Sequence, residues 1–136
     1  MSVVITGKDL GQKRVVMKHG PSGAEVETDA PIDNAGKGEA FSPTDLVSGA
    51  LGACMLTVMG IFAERNQIDI TGASYRVEKI MYEGPRRIGA LPLTFHLPAH
   101  IKEVDRRRLE TAAKSCPVHH SLHPDIGMGA DFVYDV

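Results

Sequence analysis

One long apolar stretch, residues 42–66, limits what the rest of the chain can fold into. Ser42 suits the N-cap of a helix, Pro43 its first position, and Asp45 the acidic position of a capping box. Apolar residues then recur every three or four positions, as on one face of a helix. They are Val47, Leu51, Cys54, Val58, Ile61 and Phe62. The other faces stay apolar as far as Glu64, so we predict a central helix over residues 42–66 that is buried on more than one side.

Small residues crowd the turns of this helix just before Cys54, and two of them are Gly49 and Gly52. A glycine inside a helix costs roughly 1 kcal/mol relative to alanine. Close approach of another backbone is the simplest compensation. We therefore expect a tight crossing at this point, with a buried thiol beside it.

Composition and charge exclude several classes of protein. The chain has 136 residues, is 43% hydrophobic and carries a formal net charge of −2. These values fit one domain over residues 1–136, or one protomer of an intertwined oligomer, and they do not fit a nucleic-acid-binding protein. We see no secretory signal and expect that no segment is apolar for the length of a membrane span. Two well-separated cysteines then indicate a reducing compartment, the cytoplasm, where cysteines are catalytic, redox-active or metal-binding more often than structural.

The remaining pattern predicts strands and one further helix around the central one. The predicted strands are residues 3–5, 14–18, 24–28, 70–82, 91–97 and 132–135, and the second helix is 102–115. Residues 19–23 form a hairpin turn, and residues 29–41 form a long loop of the kind that often carries function. Pro92 and Pro98 favour an edge position or frayed ends for strand 91–97. This order of elements is typical of an α+β fold with mainly antiparallel sheets.

Cys116 directly precedes Pro117, where a new helix is predicted to begin. A thiol at a helix N-terminus feels the positive end of the helix dipole, so we expect a lowered pKa for Cys116. Both cysteines lie on the apolar sides of their helices, so packing of the helices would bring the sulfurs close. A plain core role for Cys54 and a kink at Cys116 are the alternatives.

His119 and His120 follow Cys116 by three and four residues and share its helix face. With Cys54 they would nominally complete a zinc site. Zinc sites usually place their ligands in two tight clusters, which this spacing does not match. Solvated histidines are the favoured interpretation.

Two segments together resemble the OsmC/Ohr family of thiol-dependent hydroperoxide reductases. They are Ser-Pro-Thr-Asp-Leu-Val-Ser-Gly-Ala-Leu-Gly-Ala-Cys at residues 42–54 and Ser-Cys-Pro-Val-His-His-Ser-Leu at residues 115–122. With the spacing between them, the resemblance covers nearly the whole chain. It implies an OsmC-like α+β fold in which antiparallel sheets wrap around long central helices. It also implies an intertwined, domain-swapped homodimer with active sites at the interface, and no metal, haem or flavin.

The resemblance also implies the roles of the two cysteines. Cys54 would be the peroxidatic thiol, whose thiolate attacks a hydroperoxide to give a sulfenic acid and an alcohol. Cys116 would be the resolving thiol, which condenses with that acid to a disulfide. A dithiol donor, in characterised members a lipoylated protein, would then reduce the disulfide.

A thiolate in the middle of a helix needs a cation beside it, because the helix end is too far away. The family uses an arginine held by a glutamate near the helix start. That glutamate position falls on Thr44, with Asp45 next to it, and the arginine candidate is Arg14, or Lys37 in the branch that uses the loop before the helix. Asp45 lies about 13 Å along the helix axis from Cys54, so it would serve only the partner's site. The predicted catalytic set is Cys54, Cys116, Arg14 and Asp45.

We therefore expect a cytoplasmic cysteine peroxidase that prefers organic hydroperoxides, because apolar helix faces favour apolar substrates. The alternative is a non-enzymatic homodimer that senses redox state or binds a small ligand through the same cysteines. A thiolate–imidazole metal protein is the third possibility.

Overall fold

The structure is a computed structural model that describes all residues, Met1–Val136. The chain divides into two compact units, Met1–Val47 and Ser48–Val136. The strands are β1 (Ile5–Gly11), β2 (Arg14–His19), β3 (Glu25–Asp29), β4 (Ser74–Val77), β5 (Ile80–Tyr82), β6 (Arg87–Ala90), β7 (Leu93–Leu97) and β8 (Ala130–Tyr134). The helices are α1 (Pro43–Arg65), α2 (Glu103–Lys114) and α3 (Pro117–Ser121), with a short 3₁₀ turn at Ile32–Asn34.

The first unit is an antiparallel sheet of strand order β1-β2-β3, followed by the loop that leads to α1. The β2–β3 hairpin confirms the predicted turn at residues 19–23. The first strand was expected at residues 3–5, which is wrong, because β1 runs from Ile5 to Gly11. Every residue of β1 is exposed, and its two large apolar residues, Ile5 and Leu10, do not alternate, so only its ladder with β2 identifies it as a strand.

The start of α1 is held by the capping box that the sequence predicts. The backbone N–H of Asp45 donates to the Ser42 hydroxyl at 3.1 Å, and the Ser42 N–H donates to the Asp45 carboxylate at 2.9 Å. Each bond satisfies a backbone N–H that the first helical turn would leave without a partner.

The face of α1 that is buried differs from the predicted one. The fully buried residues are Ser48, Leu51, Gly52, Met55, Met59 and Ala63. Of the predicted face only Leu51 belongs to this set, while Val47 and Ile61 are exposed. Within a single chain α1 is thus fully buried along one side, and burial of a further side stays a prediction.

A second row of small and apolar residues on α1 is exposed to solvent. It consists of Ala50, Ala53, Thr57 and Ile61, spaced by three and four positions, and we refer to it as the α1 stripe. Judged by length and composition alone, α1 is long and apolar enough to cross a membrane. The stripe contributes to this apolar character. The expectation that no segment reaches this length is therefore wrong, although the core helix of a soluble protein meets the same criterion.

The tight crossing expected near Cys54 is made by an aromatic ring rather than by another backbone. A Cβ at Gly52 would overlap the ring of Tyr75, which belongs to β4. The Tyr75 hydroxyl also donates to the Gly49 carbonyl at 3.0 Å. The Tyr75 side chain therefore packs directly against the glycine-rich turn of α1.

The second unit contains a three-stranded sheet of order β4-β7-β8 and a separate β5–β6 hairpin. The predicted strand 70–82 is in fact two strands, β4 and β5, that join different sheets, and β6 was not predicted. β7 occupies the centre of its sheet, antiparallel to β4 and parallel to β8, so the predicted edge position is wrong. Its two flanking prolines lie just outside the strand, where no ladder hydrogen bond is needed.

The core of the second unit lies between α1, β7 and α2. The predicted alternation in β7 is confirmed, because Leu93, Phe95 and Leu97 are buried while the residues between them are not. Leu109 and Ala113 of α2 join the same core, as does Cys116 at the start of α3. The helix predicted at residues 102–115 and the helix start at Pro117 are both present.

Candidate active site

The two cysteines come together within the second unit. Cys54 is half-buried on α1, and Cys116 is fully buried between α2 and α3. Cys54 is close enough to Cys116 to help raise its pKa, and neither cysteine takes part in a disulfide. Both cysteines thus belong to one apolar core, as the sequence indicated.

Cys116 is the N-cap residue of α3. Its Sγ accepts the backbone N–H of His119 at 3.4 Å, and the N–H of Val118 acts on the same sulfur. Pro117, at the first position of the helix, has no N–H to offer. The sulfur therefore holds the first turn of α3 in place.

The pKa of Cys116 is raised, not lowered as the sequence suggested. Burial is the largest cause, followed by the hydrogen bond with Cys54, and both outweigh the two backbone N–H groups that favour the thiolate. The expectation relied on the helix dipole, but α3 has only five residues. A short helix offers little dipole, whereas removal from water penalises the charged thiolate directly.

Both cysteines belong to the apolar core of the second unit. Half-buried residues that pack against the same core include Leu56, Val58, Phe62, Val118 and Leu122. Cys54 is partly exposed, whereas Cys116 is closed to solvent. This arrangement suits attack by Cys54 on an apolar molecule, followed by reaction with the sulfur behind it.

The histidines after Cys116 do not assemble a metal site. No group of three or more His, Cys, Asp or Glu side chains is close enough to hold a metal ion. The rings of His119 and His120 meet edge to face at a centroid distance of 6.1 Å. Both line a cavity of about 520 Å³ together with Leu122, Pro124, Ile126 and Met128.

Arg14 lies at the centre of a carboxylate cluster in the first unit. Its guanidinium nitrogens lie 3.3 Å from Glu27, 3.5 Å from Asp29 and 3.0 Å from Glu39. Asp29 is only 1% exposed and also accepts the backbone N–H of Glu39 at 3.1 Å. The hydrogen bond that Arg14 donates to Glu27, and after it the charges of Asp29 and Glu39, outweigh burial and raise the pKa of Arg14.

The sequence analysis missed these three carboxylates, although one signal for them was present. Arg14 lies directly opposite Asp29 in the β2–β3 hairpin, and this register can be counted outward from the predicted turn. Glu27 then lies diagonally opposite on the same strand, within reach of a long side chain. Glu39 comes from the loop before α1, and nothing in the local sequence indicates that it folds back.

The remaining predicted residues lie close to the start of α1. Asp45 belongs to the capping box and is not among the partners of Arg14. The Thr44 hydroxyl lies 3.1 Å from that of Ser42, and Lys37 is exposed in the preceding loop. A part for Asp45 in the partner's site stays a prediction.

Comparison with known proteins gives a consistent set of matches. The family model described as OsmC-like protein matches residues 36–128. A candidate osmotic-stress-induced and detoxification-response protein of Psychrobacter arcticus has a similar crystal structure, with 38% identity and a TM-score of 0.91 over 97% of this chain and 96% of that one. None of the curated proteins matches the chain significantly.

Two more distant structures share the fold. The organic hydroperoxide resistance protein OsmC of Legionella pneumophila is 16% identical with a TM-score of 0.74, over 98% of this chain and 97% of that one. The organic hydroperoxide resistance protein OhrB of Bacillus subtilis is 15% identical with a TM-score of 0.71, over 97% and 98%. These likenesses confirm the α+β architecture expected from the sequence.

Proposed function

The chain belongs to the OsmC-like protein family, and from that premise we propose that it is a thiol-dependent peroxidase for organic hydroperoxides. The observation that carries the proposal is that Cys54 and Cys116 lie at one apolar core, near enough for Cys54 to help raise the pKa of Cys116. One thiol is half-exposed and the other is buried behind it. The structurally similar organic hydroperoxide resistance proteins of two bacteria agree with this function.

The proposed reaction has three steps. The Cys54 thiolate attacks the terminal oxygen of ROOH, the O–O bond breaks, and the alkoxide takes a proton from water to leave as ROH. The Cys54 sulfenic acid then condenses with the Cys116 thiol, which forms the S–S bond and releases water. A dithiol donor reduces the disulfide by two thiol–disulfide exchanges and is itself oxidised to a disulfide.

Two features support an organic rather than an inorganic peroxide. The half-buried side chains that pack against the core around the thiol pair are apolar, and they favour the hydrocarbon part of a substrate. A thiol pair that cycles with a dithiol donor also suits a reducing compartment, and we place the protein in the cytoplasm.

We propose that Arg14 supplies the positive charge that a Cys54 thiolate needs. Arginine stays charged throughout the physiological pH range, and its carboxylate partners fix the guanidinium in one place. We also propose that the protein works as a homodimer, because the α1 stripe leaves an apolar helix face uncovered within one chain.

Hydroperoxide turnover tests the proposed function. With cumene hydroperoxide and dihydrolipoamide, we expect wild-type protein to turn over many times and Cys54→Ser to fall to the rate of the uncatalysed reaction. Cys116→Ser is the matched control, since it should consume one equivalent of hydroperoxide and stop at the Cys54 sulfenic acid. Equal, slow consumption by wild type and Cys54→Ser would contradict a peroxidase and would favour a redox sensor.

A further inference from the structure

A groove lies between α2 and the last turn of α1, within the second unit. Its volume is about 430 Å³, inside the range of roughly 300–1,000 Å³ that small-molecule sites occupy. Neither cysteine lines this groove, so it is separate from the candidate active site. The residues that line it are Phe62, Arg107, Arg108, Thr111, Ala112 and Ser115.

The walls of the groove are mainly apolar, although two of its residues carry hydroxyl groups. The Thr111 hydroxyl donates to the Arg107 carbonyl at 3.0 Å, and the Ser115 hydroxyl donates to the Ala112 carbonyl at 2.6 Å. Each hydroxyl hydrogen is thus used by the backbone of its own helix. The Phe62 ring and the Ala112 side chain complete a surface that favours a hydrocarbon group.

Arg108 places a fixed positive charge at one end of the groove. Its Nη2 donates to the side-chain oxygen of Asn66 at 2.9 Å, and its Nη1 lies 3.3 Å from the Asp105 carboxylate. The centre of its guanidinium lies 5.0 Å from the centre of the Phe62 ring. These contacts hold the guanidinium of Arg108 in place and occupy it.

Arg107 is the one arginine of α2 whose guanidinium is free. Its neighbour Arg106 donates to the carbonyls of Ile101 and Ala99, each at 2.8 Å, and Arg108 has the partners given above. The Arg107 side chain makes no hydrogen bond, ion pair or ring contact, and no acidic residue lines the groove. A guanidinium with unused donors beside an apolar wall is complementary to a carboxylate that carries a hydrocarbon body.

We propose that this groove is a binding site for small monocarboxylates with an apolar body. The Arg107 guanidinium binds the carboxylate through two parallel hydrogen bonds, and the hydrocarbon part lies along α2 toward Ser115. About 12 Å of helix separates residues 107 and 115, which leaves room for an extended alkyl chain. This site does not depend on the proposed peroxidase function, because neither thiol contributes to it.

Isothermal titration calorimetry of the protein with octanoate tests the proposal. Octanamide has the same chain without the charge, and acetate has the charge with almost no chain. We expect octanoate to bind with a Kd at least about tenfold below that of either compound, because octanoate alone uses both the guanidinium and the apolar walls. Octanamide binding as tightly as octanoate would overturn the proposal, and so would the absence of detectable octanoate binding.

Two variants with the same change in charge locate the site. Arg107→Gln should raise the octanoate Kd about tenfold and leave octanamide binding unchanged. Lys114→Gln is the matched control, since it removes one positive charge from α2 at a residue that does not line the groove. Its octanoate Kd should change by no more than about twofold, because salt screens a distant charge.

An equal effect of the two variants would overturn the proposal, because octanoate would then respond to the net charge of α2. No effect of Arg107→Gln would overturn it as well. Arg107 has no side-chain partner within the chain, so its replacement should leave the fold intact, which urea unfolding of the variant checks. Hydroperoxide is absent from these titrations, so their outcome is independent of the turnover assay.

Discussion

Arg14 is surrounded by more negative charge than it can neutralise, and this makes its replacement informative. In Arg14→Gln the carboxylate of Asp29, only 1% exposed, stays buried without its cation. Removing one partner of a buried ion pair costs about 3–5 kcal/mol. Arg14 is itself partly exposed, so we expect the free energy of unfolding by urea to fall by less than that range.

Adding Asp29→Asn to Arg14→Gln separates the structural from the catalytic role. The asparagine removes the buried charge and keeps an acceptor for the Glu39 N–H, so most of the stability should return. Hydroperoxide turnover should stay lost if Arg14 activates Cys54. A double variant that recovered both stability and turnover would mean that Arg14 acts only through the fold.

At the scale of single residues, the sequence predicts contacts between near neighbours well. The Ser42–Asp45 capping box was predictable because a helix start fixes the geometry over three residues. The direction in which the pKa of Cys116 shifts was not predictable, because it depends on burial by side chains from distant parts of the chain. The Arg14–Asp29 pair lies between these cases, since it needs the hairpin register as well as the residue types.

Within α1, two glycines have opposite surroundings and predict opposite effects of an added methyl group. A Cβ at Gly52 would overlap the Tyr75 ring, whereas nothing lies within 4 Å of a Cβ at Gly60. Gly60→Ala should therefore raise the free energy of unfolding by up to about 1 kcal/mol through helix propensity. Gly52→Ala should lower it by about 1–3 kcal/mol, because overpacking outweighs that gain.

Chemical denaturation of the two alanine variants and wild type, at one protein concentration, decides this prediction. Since both changes are the same and lie in the same helix, the propensity contribution is matched. Equal stabilisation by both would show that the Tyr75 ring moves aside freely, and would refute a tight contact at Gly52.

The elements themselves were predictable wherever periodicity is local. α1, α2 and β7 each carry a clear apolar repeat and were found within one or two residues. The break between β4 and β5 was not predictable, because residues 70–82 are continuously strand-like and only their different partners divide them. β1 and β6 likewise depend on pairing with a neighbouring strand more than on their own composition.

For the whole molecule, the α1 stripe predicts self-association. Ile61 is 46% exposed in a single chain, and a carboxylate there would be buried without a partner in a homodimer. We expect Ile61→Glu to raise the dimer Kd at least about a hundredfold, as measured by sedimentation velocity. Arg65→Glu places the same carboxylate at the exposed end of α1 and changes the net charge by two units rather than one, yet it should leave the Kd nearly unchanged.

A wild-type protein that sediments as a monomer at micromolar concentration would contradict the proposed homodimer. An equal effect of the two glutamate variants would instead show that net charge, not the stripe, controls association.

The overall architecture was predictable mainly through the family resemblance, which the match over residues 36–128 confirms. Composition and element order alone indicate an α+β chain with antiparallel sheets. They do not indicate that the last strand runs parallel to β7, because β8 has no local signal of its partner.

That parallel pairing affects the order in which the sheet can form. The pairing of β7 with β8 closes a stretch of chain that contains both α2 and α3. Contacts between segments so far apart in sequence form slowly, because the chain between them loses entropy before the contact is made. We therefore expect the core that supports both thiols to be completed late in folding.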